Sequence, residues 1–201
     1  MKIRILCVLL AALLMIGVSA MAVSLPALDA LSAIATAQSP APLELPEVFK
    51  IVYQTEAGNI SLSRGADGNL TYENGAESLV FTKAGDGTYL DAATGETLTF
   101  DQVKERIALV WDMIAPHEEA DKAAVTVTFD RSVKVADREA SRFREAVHTE
   151  TETGYSVKTD LAVWYTFDHQ TGVCLAKETA PNENHDNVTA VFTCVSYEIG
   201  K

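Results

Sequence analysis

LAVWYTFDHQTGVCLAK, Leu161–Lys177, joins two apolar runs across the turn Asp168-His169-Gln170-Thr171-Gly172. An Asp can accept hydrogen bonds from the backbone N–H groups that follow it, and a Gly four residues later is free to take positive φ, so the stretch predicts a β-hairpin. Counting outward from the turn places Phe167 opposite Cys174, Tyr165 opposite Ala176 and Trp164 opposite Lys177, where an indole and an ammonium could stack. Alternation sends Val163, Tyr165, Phe167, Cys174 and Ala176 to one face and Ala162, Trp164, Thr166, Val173 and Leu175 to the other. Both sets are apolar, which predicts a strand pair covered on both sides.

The same signature recurs as Asp91-Ala92-Ala93-Thr94-Gly95, between Thr88–Leu90 and Glu96–Leu98. The chemistry of the turn by itself selects these residues, so two copies hint at a repeated hairpin without establishing a duplication.

Working outward, residues Val48–Gln54 alternate Phe49, Ile51 and Tyr53 with polar neighbours. Turn signals at Ala57-Gly58-Asn59, Gly65–Asn69, Asn74-Gly75 and Gly85-Asp86-Gly87 then cut the chain into short runs, the pattern of an antiparallel meander. At Thr99 the period changes. Thr99 and Gln102 form a capping-box pair, Asp101 suits the first turn, and Val103, Ile107, Val110, Trp111 and Ile114 make one apolar stripe, predicting a single helix over Thr99–Ala115 that Pro116 ends. Strand periodicity returns at Val125–Phe129 and Val133–Val135. Ala140–His148 fits either a helix or a strand, and the strands around it favour strand. Val157–Thr166 and Val188–Ile199 complete the set, and His117–Asp121, Glu152–Gly154 and Pro181–Asn187 read as polar connections.

The N-terminus reads as an export signal: Lys2 and Arg4, then an apolar run from Ile5 to Val23. Small-x-small sites at Ala20-Met21-Ala22 and Ala35-Thr36-Ala37 favour cleavage, with retention of residues 1–37 as a membrane anchor as the alternative. Cys7 is an ordinary apolar residue of that run. Residues 38–46, QSPAPLELP, have the composition of a linker, and residues 47–201 form a single β-rich domain. The expected location is outside the cytoplasm: periplasmic, cell-surface or secreted.

The net charge is −12. The first 39 residues contain only Lys2, Arg4 and Asp29 as charges, so the rest holds 14 of the 16 basic and 27 of the 28 acidic residues, a net of −13. So acidic a body argues against nucleic acid and against a polybasic grip on lipid; contact with a membrane is expected only through the N-terminal segment.

Cys174 and Cys194 are a disulfide candidate in an oxidising compartment, since a hairpin around Pro181–Asn187 would oppose them directly; two separate buried thiols are the alternative. His117, His148, His169 and His185 all fall in or beside turns and show no metal-binding spacing, so neither a metal site nor a cofactor is expected. There is no GxSxG elbow, Gly-rich phosphate loop or CxxC, and no catalytic residue is assigned. Asn59, Asn69 and Asn187 head Asn-x-Ser/Thr sequences, relevant only in a host that glycosylates.

The hairpin Val163–Lys177, with its aromatics, Asp-x-x-Thr-Gly and alternating run ending in a cation, resembles the late strand pair of the lipoprotein-localisation-factor (LolA-like) superfamily. The likeness covers about the last third of the chain. It implies an incomplete antiparallel barrel wrapped around one or more helices, with an apolar cavity that receives acyl chains in some members. No position here matches that family's ligand-contacting arginine. The expectation is an α+β domain: a curved antiparallel half-barrel around one amphipathic helix. It would act as a non-enzymatic binding module for an apolar, lipid-like small molecule or an envelope protein. Trp111, Phe129, Phe143, Trp164, Tyr165 and Phe192 are the candidate ligand-lining residues. The alternatives are a structural or interaction domain with a filled core, and a hydrolase with dispersed residues.

Overall fold

The computed structural model describes residues 40–75, 77–116, 125–150, 156–158, 162–181 and 187–200. Pro40–Lys201 forms one compact unit. The proposed export segment, Cys7, His117, His185 and most of the three polar connections lie outside the described residues. Among those described, no helix is long and apolar enough to cross a membrane.

The meander appears as expected. Strands β1 (Phe49–Thr55), β2 (Gly58–Arg64), β3 (Leu70–Asn74), β4 (Glu77–Lys83), β5 (Tyr89–Asp91) and β6 (Thr97–Leu98) pair in sequence as antiparallel neighbours. Alternation buries Phe49, Ile51, Tyr53, Ile60, Leu62, Leu70, Tyr72 and Phe81 on one face and leaves mostly polar side chains, with Val52 and Val80 among them, on the other. After two helices come β7 (Val125–Val135), β8 (Arg138–Glu150), β9 (Ser156–Lys158), β10 (Ala162–Asp168), β11 (Cys174–Ala180) and β12 (Thr189–Ile199). The sheet runs β6-β5-β4-β3-β2-β1-β12-β11-β10-β8-β7, with β9 added beside β8 beyond the end of β10. Pairing of β1 with β12 joins the two halves into one open, curved antiparallel sheet. The ambiguous stretch Ala140–His148 is strand, inside β8.

The single helix expected over Thr99–Ala115 is two: α1 (Phe100–Arg106) and α2 (Ala108–Ile114), hinged at Ile107 with φ −111° and ψ 27°. Thr99 caps α1 through the reciprocal bonds anticipated, its hydroxyl accepting from the Gln102 N–H at 3.3 Å while the Gln102 side chain accepts from the Thr99 N–H at 2.9 Å. The hinge carries neither Gly nor Pro, so nothing local marks it in the sequence. Val110, Trp111, Met113 and Ile114 form the buried face of α2. The helices share their core with the buried face of the sheet, and α2 packs against β2 and β11.

The central hairpin folds as expected at its turn and departs from the expected register beyond it. Phe167 faces Cys174, but a bulge then inserts one residue, so that Thr166 faces Ala176, Tyr165 faces Lys177 and Trp164 faces Glu178. Cys174 and Leu175 consequently both enter the main core, and Ala176 turns outward. The anticipated stacking of Trp164 with Lys177 is replaced by Lys177 over Tyr165, 5.3 Å from the ring centroid, and Arg142 over Trp164 at 4.7 Å. Cover on both sides is observed: all seven residues of β10 are buried. Val163, Tyr165 and Phe167 join the main core, while Ala162 and Trp164 form a second, smaller cluster with Ala180 and Val188 on the opposite face.

Candidate functional site

The register gathers four of the six candidate lining residues into one row. Phe129 of β7 faces Phe143 of β8, Phe143 faces Tyr165 of β10, Tyr165 faces Lys177 of β11, and Lys177 faces Phe192 of β12. Opposed residues in adjacent strands share a face, so these five side chains lie in line across the sheet. The rings pack on one another and on their neighbours: Phe129 on Phe143 at 5.8 Å, Phe143 on Phe167 at 6.0 Å, and Tyr53 edge-on to Phe192 at 5.3 Å between centroids. Such spacings are those of aromatic rings in direct contact. Trp111 stands apart on α2, edge-on to Phe100 at 5.5 Å. Trp164 occupies the other face of the sheet. Of the four aromatic members of the row, Phe129 is left partly exposed, as is Lys177.

The smaller cluster around Trp164 is held by charge. Arg142 is 3 % exposed although it projects from the face opposite the main core; its Nε donates to Glu178 at 2.7 Å and its Nη1 to Asp130. Asp130 is the extra residue of a bulge in β7, between Phe129, which faces Phe143, and Arg131, which faces Arg142. The guanidinium thus lies against the Trp164 ring with a carboxylate from each flank, a desolvated cation fully paired.

The two Asp-x-x-Thr-Gly turns match bond for bond. In the second, the Asp168 N–H donates to Val173 O at 2.9 Å and the Gly172 N–H to Asp168 O at 3.1 Å; in the first, Asp91 N–H donates to Glu96 O at 2.9 Å and Gly95 N–H to Asp91 O at 2.8 Å. Each Asp carboxylate is almost wholly buried and accepts the N–H groups two and three residues on. Each has an arginine from elsewhere in the chain: Arg138 at 2.7 and 2.9 Å for Asp168, Arg106 at 3.9 Å for Asp91. Burial by itself raises the Asp168 pKa; the Arg138 guanidinium, then the Thr171 hydroxyl and N–H, outweigh it and hold the carboxyl below its ordinary range. Tyr197 donates to the Thr171 hydroxyl at 3.3 Å, and that hydroxyl donates to Asp168 at 2.8 Å, extending the network into β12.

Cys174 and Cys194 lie as separate, buried thiols in this structure. Ala176 faces Thr193 in the β11–β12 register, one residue off the expected pairing, and on its other flank Cys194 faces Tyr53 of β1. Burial pushes Cys174 up to about 12 and Cys194 up to about 11, leaving both protonated and inert as nucleophiles.

Sequence reasoning did not anticipate the contact of Ser141 Oγ with His169 Nε2 at 2.7 Å, which sets a hydroxyl beside a base. Ser141 is 5 % exposed within β8, where a substrate carbonyl could not reach it. No group of three metal-ligating side chains occurs among the described residues. A groove of about 450 Å³ lies over β1 to β4, lined by Lys50, Val52, Asn59, Ser61, Glu73 and Glu77 among others.

No protein-family profile and no curated protein matches the sequence. Solved structures do. The crystal structure of MucB is 14 % identical at a TM-score of 0.38, over 77 % of this chain and 54 % of that one. MucB in complex with MucA(peri) is 13 % identical at a TM-score of 0.37, over 77 % and 50 %. The Pseudomonas aeruginosa MucA/MucB complex is 13 % identical at 0.38, over 75 % and 51 %. The chain therefore spans about half the length of each. Similarity of that depth carries no functional weight, and the residues of this chain have to supply the argument.

Proposed function

We propose that the folded unit is an exported, non-enzymatic module that binds an extended segment of a partner protein along the free edge of β7. The observation that carries this reading is the inequality of the two sheet edges. At one end β6 is two residues long and runs straight into the Thr99 cap of α1, whereas at the other β7 presents eleven residues paired on one side only among the described residues. An unpaired strand of that length offers a row of N–H and C=O groups that a second extended chain can complete. The bulge at Asp130 divides the edge into two straight segments, Val125–Phe129 and Arg131–Val135. Export is supported by the sequence of the first 23 residues, a basic start followed by an apolar run.

The contact between the rings of Phe129, Phe143, Phe167, Tyr53 and Phe192 favours a core already filled by its own side chains over one waiting for a lipid-like guest. A second reading, apolar cargo, is favoured by one observation: the aromatic row ends at the partly exposed Phe129.

A photo-crosslinking residue at Ser132, exposed on β7, should capture a contiguous extended segment of a host envelope protein, while the same probe at Thr97 on β6 should not. Equal capture from both positions would sink the edge reading. Binding of an apolar dye in one-to-one ratio, abolished by Phe129→Ala, would establish the cargo reading in its place.

A further inference from the structure

The residues just before β1 are expected from composition to be a loose linker, yet they lie across the second Asp-x-x-Thr-Gly turn. The Glu44 N–H donates to Thr171 O at 2.8 Å, Leu45 packs against the main core, and Pro46 O accepts from Arg64 Nη1 at 3.5 Å. Gly172 shows how close the crossing is. A Cβ built on it would fall 2.4 Å from both Ala41 O and Pro42 O, backbone atoms that cannot swing aside.

The first turn supplies an internal comparison. Gly95 has φ +74° and Gly172 φ +65°, in turns with the same hydrogen bonds, but a Cβ on Gly95 would meet nothing within 4 Å. The turn therefore requires positive φ at both positions, and at Gly172 alone it also requires the absence of a side chain.

We propose that residues 40–46 are a releasable strap, seated on the Asp168–Gly172 turn in this structure and able to leave it while the sheet stays folded, uncovering Thr171 O and the patch of core beneath Leu45. Among the described residues its attachments are one short backbone bond, a longer bond from Arg64, the packing of Ala41 and Pro42 on Gly172, and one apolar anchor, Leu45. The turn beneath is fixed on all sides, by Arg138, Thr171, Tyr197 and the β10–β11 ladder. A segment held so lightly on a seat held so firmly opens locally, well below the free energy of global unfolding. This inference is independent of the β7 edge.

Hydrogen exchange on the chain as purified tests it, read at the Glu44 amide against the Asp168 and Gly172 amides of the turn. In the wild type, Glu44 should exchange at least ten-fold faster than Asp168, and both should be slower than an unstructured amide. Gly172→Ala should abolish protection at Glu44 and open residues 40–46 to limited proteolysis, leaving β1 to β4 protected. Gly95→Ala, which imposes the same backbone strain with no strap above it, should lower the melting temperature and leave Glu44 unchanged. If Glu44 exchanges at the rate of the sheet amides, the strap does not release. If Gly172→Ala leaves Glu44 protected, or Gly95→Ala exposes it equally, the seat is wrongly assigned.

Discussion

Asp168 is the residue on which the most contacts converge: two donors from Arg138, the N–H groups of Gln170 and Thr171, and the Thr171 hydroxyl. Its pKa is lower folded than unfolded, so the unfolded chain takes up the proton first as the pH falls. The stabilisation is complete above the unfolded value of about 4 and is lost as the pH drops through the folded value. Asp168→Asn should cost about 3 kcal/mol at pH 7, the low end for a broken buried pair because Arg138 keeps some contact with solvent. It should also flatten the loss of stability expected of the wild type below pH 4; denaturant titrations from pH 2.5 to 7 would measure both effects. The thiols give the opposite limb. With Cys174 raised to about 12, the folded state retains a proton that the unfolded state gives up near pH 8.5, so stability falls through that alkaline window. In the native protein Cys174 and Cys194 should resist a thiol reagent at pH 8 and react once denaturant is added; native reactivity at either would contradict their burial.

Among the elements, the Asp-x-x-Thr-Gly turns, the Thr99 cap and the alternation of β1 to β3 were legible because each depends on residues within five of one another. What the sequence concealed depends on contacts across the sheet. An inserted residue such as that between Phe167 and Tyr165's partners leaves no local mark, and it alone moved Lys177 from Trp164 to Tyr165 and drew Leu175 into the core. The hinge at Ile107 and the seating of residues 40–46 were hidden in the same way. For the candidate site, the aromatic types were readable, but the row formed by Phe129, Phe143, Tyr165 and Phe192 exists only once the strand order β7-β8-β10-β11-β12 is known. Trp164 gives the sharpest test at this scale. Although it lies on the face away from the main core, it is 1 % exposed beneath Arg142. Trp164→Ala should therefore destabilise by roughly 3–5 kcal/mol, as much as Phe143→Ala on the core side. A cost below 1 kcal/mol would show that the outer cluster contributes little. Thr99→Ala, which removes one half of the capping box, should cost only about 1 kcal/mol; thermal melts separate the two.

For the whole molecule, one sheet carries two kinds of surface. The face under α1 and α2 is closed by aliphatic and aromatic packing, and the opposite face carries the 450 Å³ groove over β1 to β4 and the buried Trp164 cluster under Arg142. The chain beyond residue 39 carries a net charge of −13, so binding along β7 to a basic partner segment should weaken as salt rises. Titrating a crosslinked partner peptide at low and at physiological ionic strength checks this; a salt-independent affinity would mean that backbone pairing and apolar contacts dominate.

The two-residue rim at β6 has a further meaning for self-association. Fibril-like growth by sheet extension needs a donor edge and an acceptor edge on every copy, and here one of the two has been cut short and turned into a helix. Two copies could meet β7 to β7 about a two-fold axis, and that union would consume the long margin that the described residues present for a third to join.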